Sequence, residues 1–173
     1  VETAGVAGEA GMLKKLLVAL LVSPALAAHA DPVVLPAPSD LRQEARLVQQ
    51  TKQPLIVLFS LPGCSYCKVV RENYLAPLIR DAAPADRPLI REVDITSDAP
   101  LKGFEGEALT QKRFAANYRV KITPTVILMD GTGALLTDRL VGGDTAGFYG
   151  AYLDNAISAA QQQLSSPQRR VKK

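Results

Sequence analysis

The chain contains two cysteines, and they form one motif, Cys64-Ser65-Tyr66-Cys67. A pair at this spacing can close into a disulfide and reopen when a thiolate attacks sulfur. The same pair is also compatible with half of a zinc site or with a static structural bridge. The single histidine, His29, lies in a segment expected to be removed from the mature protein. Without it no Ser/His/Asp or Cys/His catalytic unit can be assembled. Two thiolates without histidine leave a tetrahedral zinc site half filled, so no metal is expected. One bridge is a small framework for 173 residues, which favours a reactive pair over a structural one.

The flanking pattern assigns the two thiols different roles. Leu55 to Phe59 is a continuous apolar run, as in a central strand buried on both faces. Leu61-Pro62-Gly63 reads as a loop, and Lys68 to Leu75 reads as helix. Cys64 then stands at a helix N-terminus, where unsatisfied N–H groups and the positive dipole end favour a thiolate. Cys64 is therefore the expected nucleophile. Cys67, one turn further in, is the expected resolving thiol that attacks Cys64 and releases the reduced product. Ser65 and Tyr66 lie between them as candidate substrate-contacting residues. Tyr66 reads equally well as a surface aromatic. Lys68 can support the thiolate, although a solvated helix lysine is the simpler reading.

A second element is Thr123-Pro124-Thr125, just before the apolar run Val126 to Met129. Proline at the start of a central strand is unusual unless its conformation is required. A cis bond here would bring Thr123 beside the cysteines and leave its backbone free to pair with an extended substrate.

The remaining elements must hold these two segments together. Asp31 to Pro38 is proline-rich and reads as an extended arm. Ser39 or Asp40 can cap a helix carrying Leu41, Ala45 and Val48 on one face. Pro77 is expected to divide the helix after the cysteines. Leu89 to Ile95 reads as strand, Thr96 to Gly106 as loop, and Ala108 to Tyr118 as helix. Thr125 to Met129 and Ala134 to Val141 read as a hairpin turning at Asp130-Gly131-Thr132-Gly133. Asp144 is expected to cap a last helix bearing Phe148, Tyr152, Leu153, Ala156 and Ile157. Phe59, Phe114 and Phe148 are expected in the core. The order predicts an α/β fold with a central mixed sheet flanked by helices on both faces.

These stretches, together with Phe59-Ser60-Leu61-Pro62-Gly63-Cys64-Ser65-Tyr66-Cys67-Lys68 and Tyr118-Arg119-Val120-Lys121-Ile122-Thr123-Pro124-Thr125, resemble the thioredoxin superfamily. The first stretch is most similar to exported bacterial thioredoxin-related proteins of the SoxW type. The resemblance implies a thioredoxin fold, Cys64 as nucleophile, Cys67 as resolving thiol and Pro124 as the family's cis proline. It also implies protein disulfides as substrates and a membrane thiol-electron donor of the DsbD or CcdA type. The family's tryptophan is absent, and Ser65-Tyr66 replaces its glycine-proline. The family's buried aspartate in the preceding strand aligns with Leu58. Glu92 or Asp94 on the neighbouring strand can approach the thiols, although solvated strand-end charges are the favoured reading.

Composition narrows the function classes further. Hydrophobic residues make up 47% and charged residues 21%, with a formal charge of +3. No internal stretch is basic enough to call for nucleic acid. No glycine-rich nucleotide fingerprint opens a helix, so no cofactor is expected. Met12-Leu13-Lys14-Lys15, the apolar run Leu16 to Val22 and Ala28-His29-Ala30 follow the pattern of a Sec signal peptide cleaved after Ala30. The expected organisation is a leader over 1–30, of which 1–11 is a start-site artefact and 12–30 the signal peptide. A thioredoxin-like domain over 31–164 and a basic disordered tail over 165–173 follow. The expected location is the periplasm, and the expected state is a monomer. Competing functions are a disulfide oxidase or isomerase and, in a different class, a redox-inert binding or chaperone module.

Overall fold

The computed structural model describes residues 34–83 and 87–166. The leader, the first residues of the arm and the tail beyond Ser166 lie outside the described residues. Leu55–Ser60 forms β1, and all six residues are buried. Its odd and even positions feed two separate cores. Leu55, Val57 and Phe59 join Leu41, Val48, Val93, Phe114, Ile127 and Met129 on one face. Ile56 and Leu58 join Val70, Leu75, Ile90, Val126, Leu128 and Leu153 on the other. A strand with apolar side chains on both faces needs cover on both sides.

Helices provide that cover. The first face is covered by α1 (Leu41–Thr51) and α4 (Gln111–Asn117). The second is covered by the helical segment after the cysteines and by α5 (Tyr149–Ser165). Between them lies a sheet of four strands in the order β2-β1-β5-β6, with β2 at Leu89–Asp94, β5 at Thr125–Met129 and β6 at Leu140–Val141. β1 pairs with β2 in parallel and with β5 antiparallel, so the sheet is mixed. The extended arm joins its edge, where the Glu92 N–H donates to Pro36 O at 3.0 Å. Glu44, on the buried face of α1, accepts two bonds from Arg91 of β2 at 2.7 and 2.8 Å.

The segment after the cysteines is helical throughout but not uniform. α2 (Ser65–Val69) runs into a π-helical stretch, Val70–Leu75, and then into α3 (Ala76–Arg80). The Ala76 N–H donates to Arg71 O, a bond one residue wider than in an α-helix. Pro77 sits in the first turn of α3. Its ring and missing N–H disfavour an unbroken α-helical ladder, and the wider turn accommodates it. The helix is thus divided in geometry without being broken.

Five expectations need correction. The stretch read as loop contains β3 (Pro100–Lys102), paired antiparallel with β4 (Ala108–Thr110). The helix expected from Ala108 therefore begins only at Gln111, where the Thr110 hydroxyl accepts the Arg113 N–H. The return strand is interrupted. From Met129↔Leu135 to Val126↔Leu140, β5 moves three residues while the returning chain moves five, so two residues bulge outward. Asp144 does not cap α5; the helix starts after Phe148, and Asp144 instead accepts the Gly147 N–H at 2.6 Å and the Tyr74 hydroxyl. Phe148 is 62% exposed, because the buried stripe of α5 runs through Tyr149, Leu153 and Ala160.

The hairpin tip uses glycine for a stated reason. Gly133 has φ +85, and a Cβ there would lie 2.6 Å from both Phe104 Cε2 and the Tyr118 hydroxyl. Tyr118 also donates to Gly133 O at 2.8 Å, tying α4 to the hairpin.

Candidate redox site

Leu61-Pro62-Gly63-Cys64 makes the turn that presents the first cysteine. Proline stands second and Gly63, at φ +76, stands third, and the Cys64 N–H donates to Leu61 O at 3.3 Å. This is the residue pattern of a type II turn. Cys64 then serves as the N-cap of α2: its Sγ accepts the Cys67 N–H at 3.1 Å, and its carbonyl accepts the Lys68 N–H at 3.1 Å. The two cysteines form a disulfide with Cα atoms 5.2 Å apart. Cys67 is fully buried, whereas Cys64 is partly exposed. The two sulfurs therefore differ in access before any chemistry begins.

The chain returns to the site through Thr123-Pro124. Thr123 Oγ1 donates to Cys64 Sγ at 3.8 Å, and the Thr123–Pro124 bond is cis. Pro124 is buried, and its carbonyl accepts the Gly142 N–H at 2.8 Å. Tyr66 is 58% exposed and lies against the backbone of Gly143, where a Cβ would approach its Cδ1 to 2.8 Å. Any side chain larger than hydrogen at 143 would displace the tyrosine. Ser65 is exposed at the first position of α2.

Glu92 departs from its favoured sequence reading as a solvated charge. It pairs in register with Leu58 and accepts from Ser60 Oγ at 2.5 Å and from Arg71 Nε at 2.7 Å, with a second bond from Arg71 Nη2. The Glu92 hydrogen bond holds the Arg71 guanidinium above its ordinary pKa. A shallow groove beside Cys64 is lined by Leu61, Pro62, Lys68, Arg71 and Glu72, so the arginine of this ion pair forms part of its wall. Asp94 is turned to local structure: Oδ1 accepts from the N–H and hydroxyl of Thr96. The sequence reading overlooked Arg71; an arginine seven residues after Cys64, two helical turns along on the same side, was the available signal.

A partly exposed sulfur at a helix start, bonded to a buried one a turn away, can undergo thiol–disulfide exchange. No curated protein matches the chain. Among solved structures, a poplar thioredoxin h mutant superposes with a TM-score of 0.50 at 16% identity, covering 79% of this chain and 92% of its own. A thioredoxin-fold protein from Helicobacter pylori matches at 22% identity and TM-score 0.48, covering 64% and 72%. The periplasmic thioredoxin SoxS from Paracoccus pantotrophus matches at 21% identity and TM-score 0.42, covering 62% and 99%. The family model for the thioredoxin-like domain matches residues 41–157. With that match spanning both the cysteine pair and Thr123-Pro124, the chain belongs to the thioredoxin-like family.

Proposed function

We propose that this chain is an exported protein-disulfide reductase whose catalytic residues are Cys64 and Cys67. The observation that carries the reading is the pairing of a partly exposed Cys64 with a buried Cys67 across the first turn of α2. In the reduced protein the Cys64 thiolate attacks one sulfur of a substrate disulfide. The other substrate sulfur leaves as a thiolate and takes up a proton. The Cys67 thiolate then attacks Cys64 Sγ, which releases the second substrate thiol and forms the Cys64–Cys67 bond. Two electrons pass from the dithiol to the substrate. Thr123, Pro124, Ser65 and Tyr66 form the substrate-contacting rim in this reading.

Export is supported by the signal-peptide pattern over 12–30. In an oxidising compartment the dithiol must be regenerated, and a membrane thiol-electron donor of the DsbD or CcdA type fits that need. The reductive direction is supported by what flanks the sulfur. Ser65 and Tyr66 offer only neutral groups, so the helix start is the principal support for the thiolate. The test is equilibration of the full protein with glutathione buffers, combined with a Cys67→Ala variant that traps mixed disulfides. A potential nearer roughly −270 mV than roughly −120 mV is expected, with trapped protein partners on Cys64. A potential near the upper value would assign an oxidase or isomerase instead. A bond that resists mild dithiol, with no trapped partner, would assign a redox-inert binding module.

A further inference from the structure

The rim beyond Thr123 is cationic. Arg119, Lys121 and Arg139 line a cleft of about 130 Å³ together with Ile122 and Val141. The two apolar side chains are 58% and 56% exposed. Among the described residues no carboxylate lines this cleft, and Asp138, the chain neighbour of Arg139, lies outside it. The cleft is linked to the sulfur through the chain: Ile122, in its lining, precedes Thr123, whose Oγ1 donates to Cys64 Sγ at 3.8 Å.

Two of the cations are set in place by the backbone. Arg119 has φ +52, a left-handed conformation. Its N–H donates to Ala116 O at 2.9 Å and the Val120 N–H donates to Ala115 O at 3.1 Å, closing α4 in a Schellman arrangement. Glycine is the residue that adopts this position without strain, and arginine there sacrifices stability. Arg139 is fixed differently: its Nη1 donates to Tyr118 O at 2.5 Å, at the end of the same helix.

We propose that this cleft receives an acidic segment of the substrate protein, carrying Asp or Glu two or three residues from the cysteine that reacts with Cys64. The spacing follows from the chain. Lys121 stands two residues from Thr123, and an extended substrate beside that segment advances about 3.3 Å per residue. The substrate's apolar neighbours meet Ile122 and Val141, and its carboxylates meet three positive charges without a competing acid. This inference rests on the thiol–disulfide reading of Cys64 and adds the charge of the preferred substrate.

The test uses two synthetic peptides, each with one internal disulfide, differing only in Glu or Gln at the second and third residues from the cysteine. The reduced full chain is mixed with each. Every second-order rate is divided by the rate with free dithiol, which removes the peptide's own reactivity. The acidic peptide is expected to react about three- to tenfold faster at low salt. The preference should shrink towards unity at roughly 0.5 M salt. Lys121→Glu should reverse the order. Arg119→Gly, which relieves the backbone, should lower the ratio while keeping the fold. The ratio is internal to each variant, so partial unfolding does not mimic the effect. Equal normalised rates in the parent chain, or a preference untouched by both substitutions, would overturn the proposal. Reduction of neither peptide would overturn the redox reading, and the docking proposal with it.

Discussion

The Glu92 carboxylate grips the Arg71 guanidinium through two hydrogen bonds, fastening the helical segment after Cys67 to the strand beside β1. Their side chains are only 16% and 24% exposed, and Glu92 also accepts from Ser60. Replacing Arg71 by methionine keeps most of the length but leaves Glu92 with one neutral donor. The expected loss is about 1–3 kcal/mol in urea unfolding. A second substitution, Glu92→Leu, should recover part of that loss, because an apolar pair needs no compensation for desolvation. Independent, additive losses from the two changes would show that the pair contributes no coupling.

Tyr149 presents the opposite case. Its ring lies 4.9 Å from that of Tyr74, and its hydroxyl is buried without a hydrogen-bond partner among the described residues. Burial first, and the neighbouring Tyr74 second, push its pKa upward, so it stays neutral in alkaline solution. Tyr149→Phe keeps the ring and removes the unpaired oxygen. Stability should hold or rise by about 1 kcal/mol. A thermal scan showing a clear loss would mean that the hydroxyl is satisfied in solution.

Asp40 gives the fold a predictable acid response. The Arg42 side chain hydrogen-bonds its carboxylate, and the Arg42 N–H adds a backbone bond, so its pKa falls from 3.8 to about 2. The folded state thus binds this proton less readily than the unfolded chain does. The stabilisation is complete above pH 4 and is lost as pH falls from about 4 to about 2. An NMR titration of the Asp40 carboxyl should place its midpoint near that lower value. Arg42→Gln should move the midpoint upward. An unchanged midpoint would assign the shift to the helix start alone.

Much of this arrangement was legible in the sequence because single positions forced it. The run Leu55 to Phe59 has no polar face, so it had to be central. Asp130-Gly131-Thr132-Gly133 had to turn. What escaped was decided by contacts distant in sequence. The β3–β4 hairpin is too short to show a period of its own, and Leu101 is buried in a cluster with Leu41, Val48 and Phe114, all distant in sequence. Phe148 and Tyr149 are adjacent and both aromatic. Sequence periodicity cannot decide which of them opens the buried stripe, because the loop after Gly143 sets the rotation of α5. Glu92 looked like a solvated charge because its partner, Arg71, lies 21 residues away on a helix that the sequence placed but did not rotate.

The two sulfurs should separate by reactivity once the bond is reduced. Cys64 caps the start of α2, where the Cys67 N–H points at its sulfur and the Thr123 hydroxyl approaches from the opposite segment. Each donor favours the thiolate over the thiol. Cys67 has no exposed surface, and burial in apolar surroundings disfavours its charged form. A brief pulse of iodoacetamide at neutral pH, followed by peptide mapping, should therefore label Cys64 almost alone. Thr123→Val keeps the shape of the side chain and removes one donor, so labelling should slow by a few-fold at the same pH and remain on Cys64. Because the label reports thiolate fraction and access together, repeating the pulse across pH separates them: a lost donor moves the midpoint of the rate profile upward, whereas altered access lowers its plateau. Equal labelling of both cysteines, or preference for Cys67, would reverse the roles assigned to the pair.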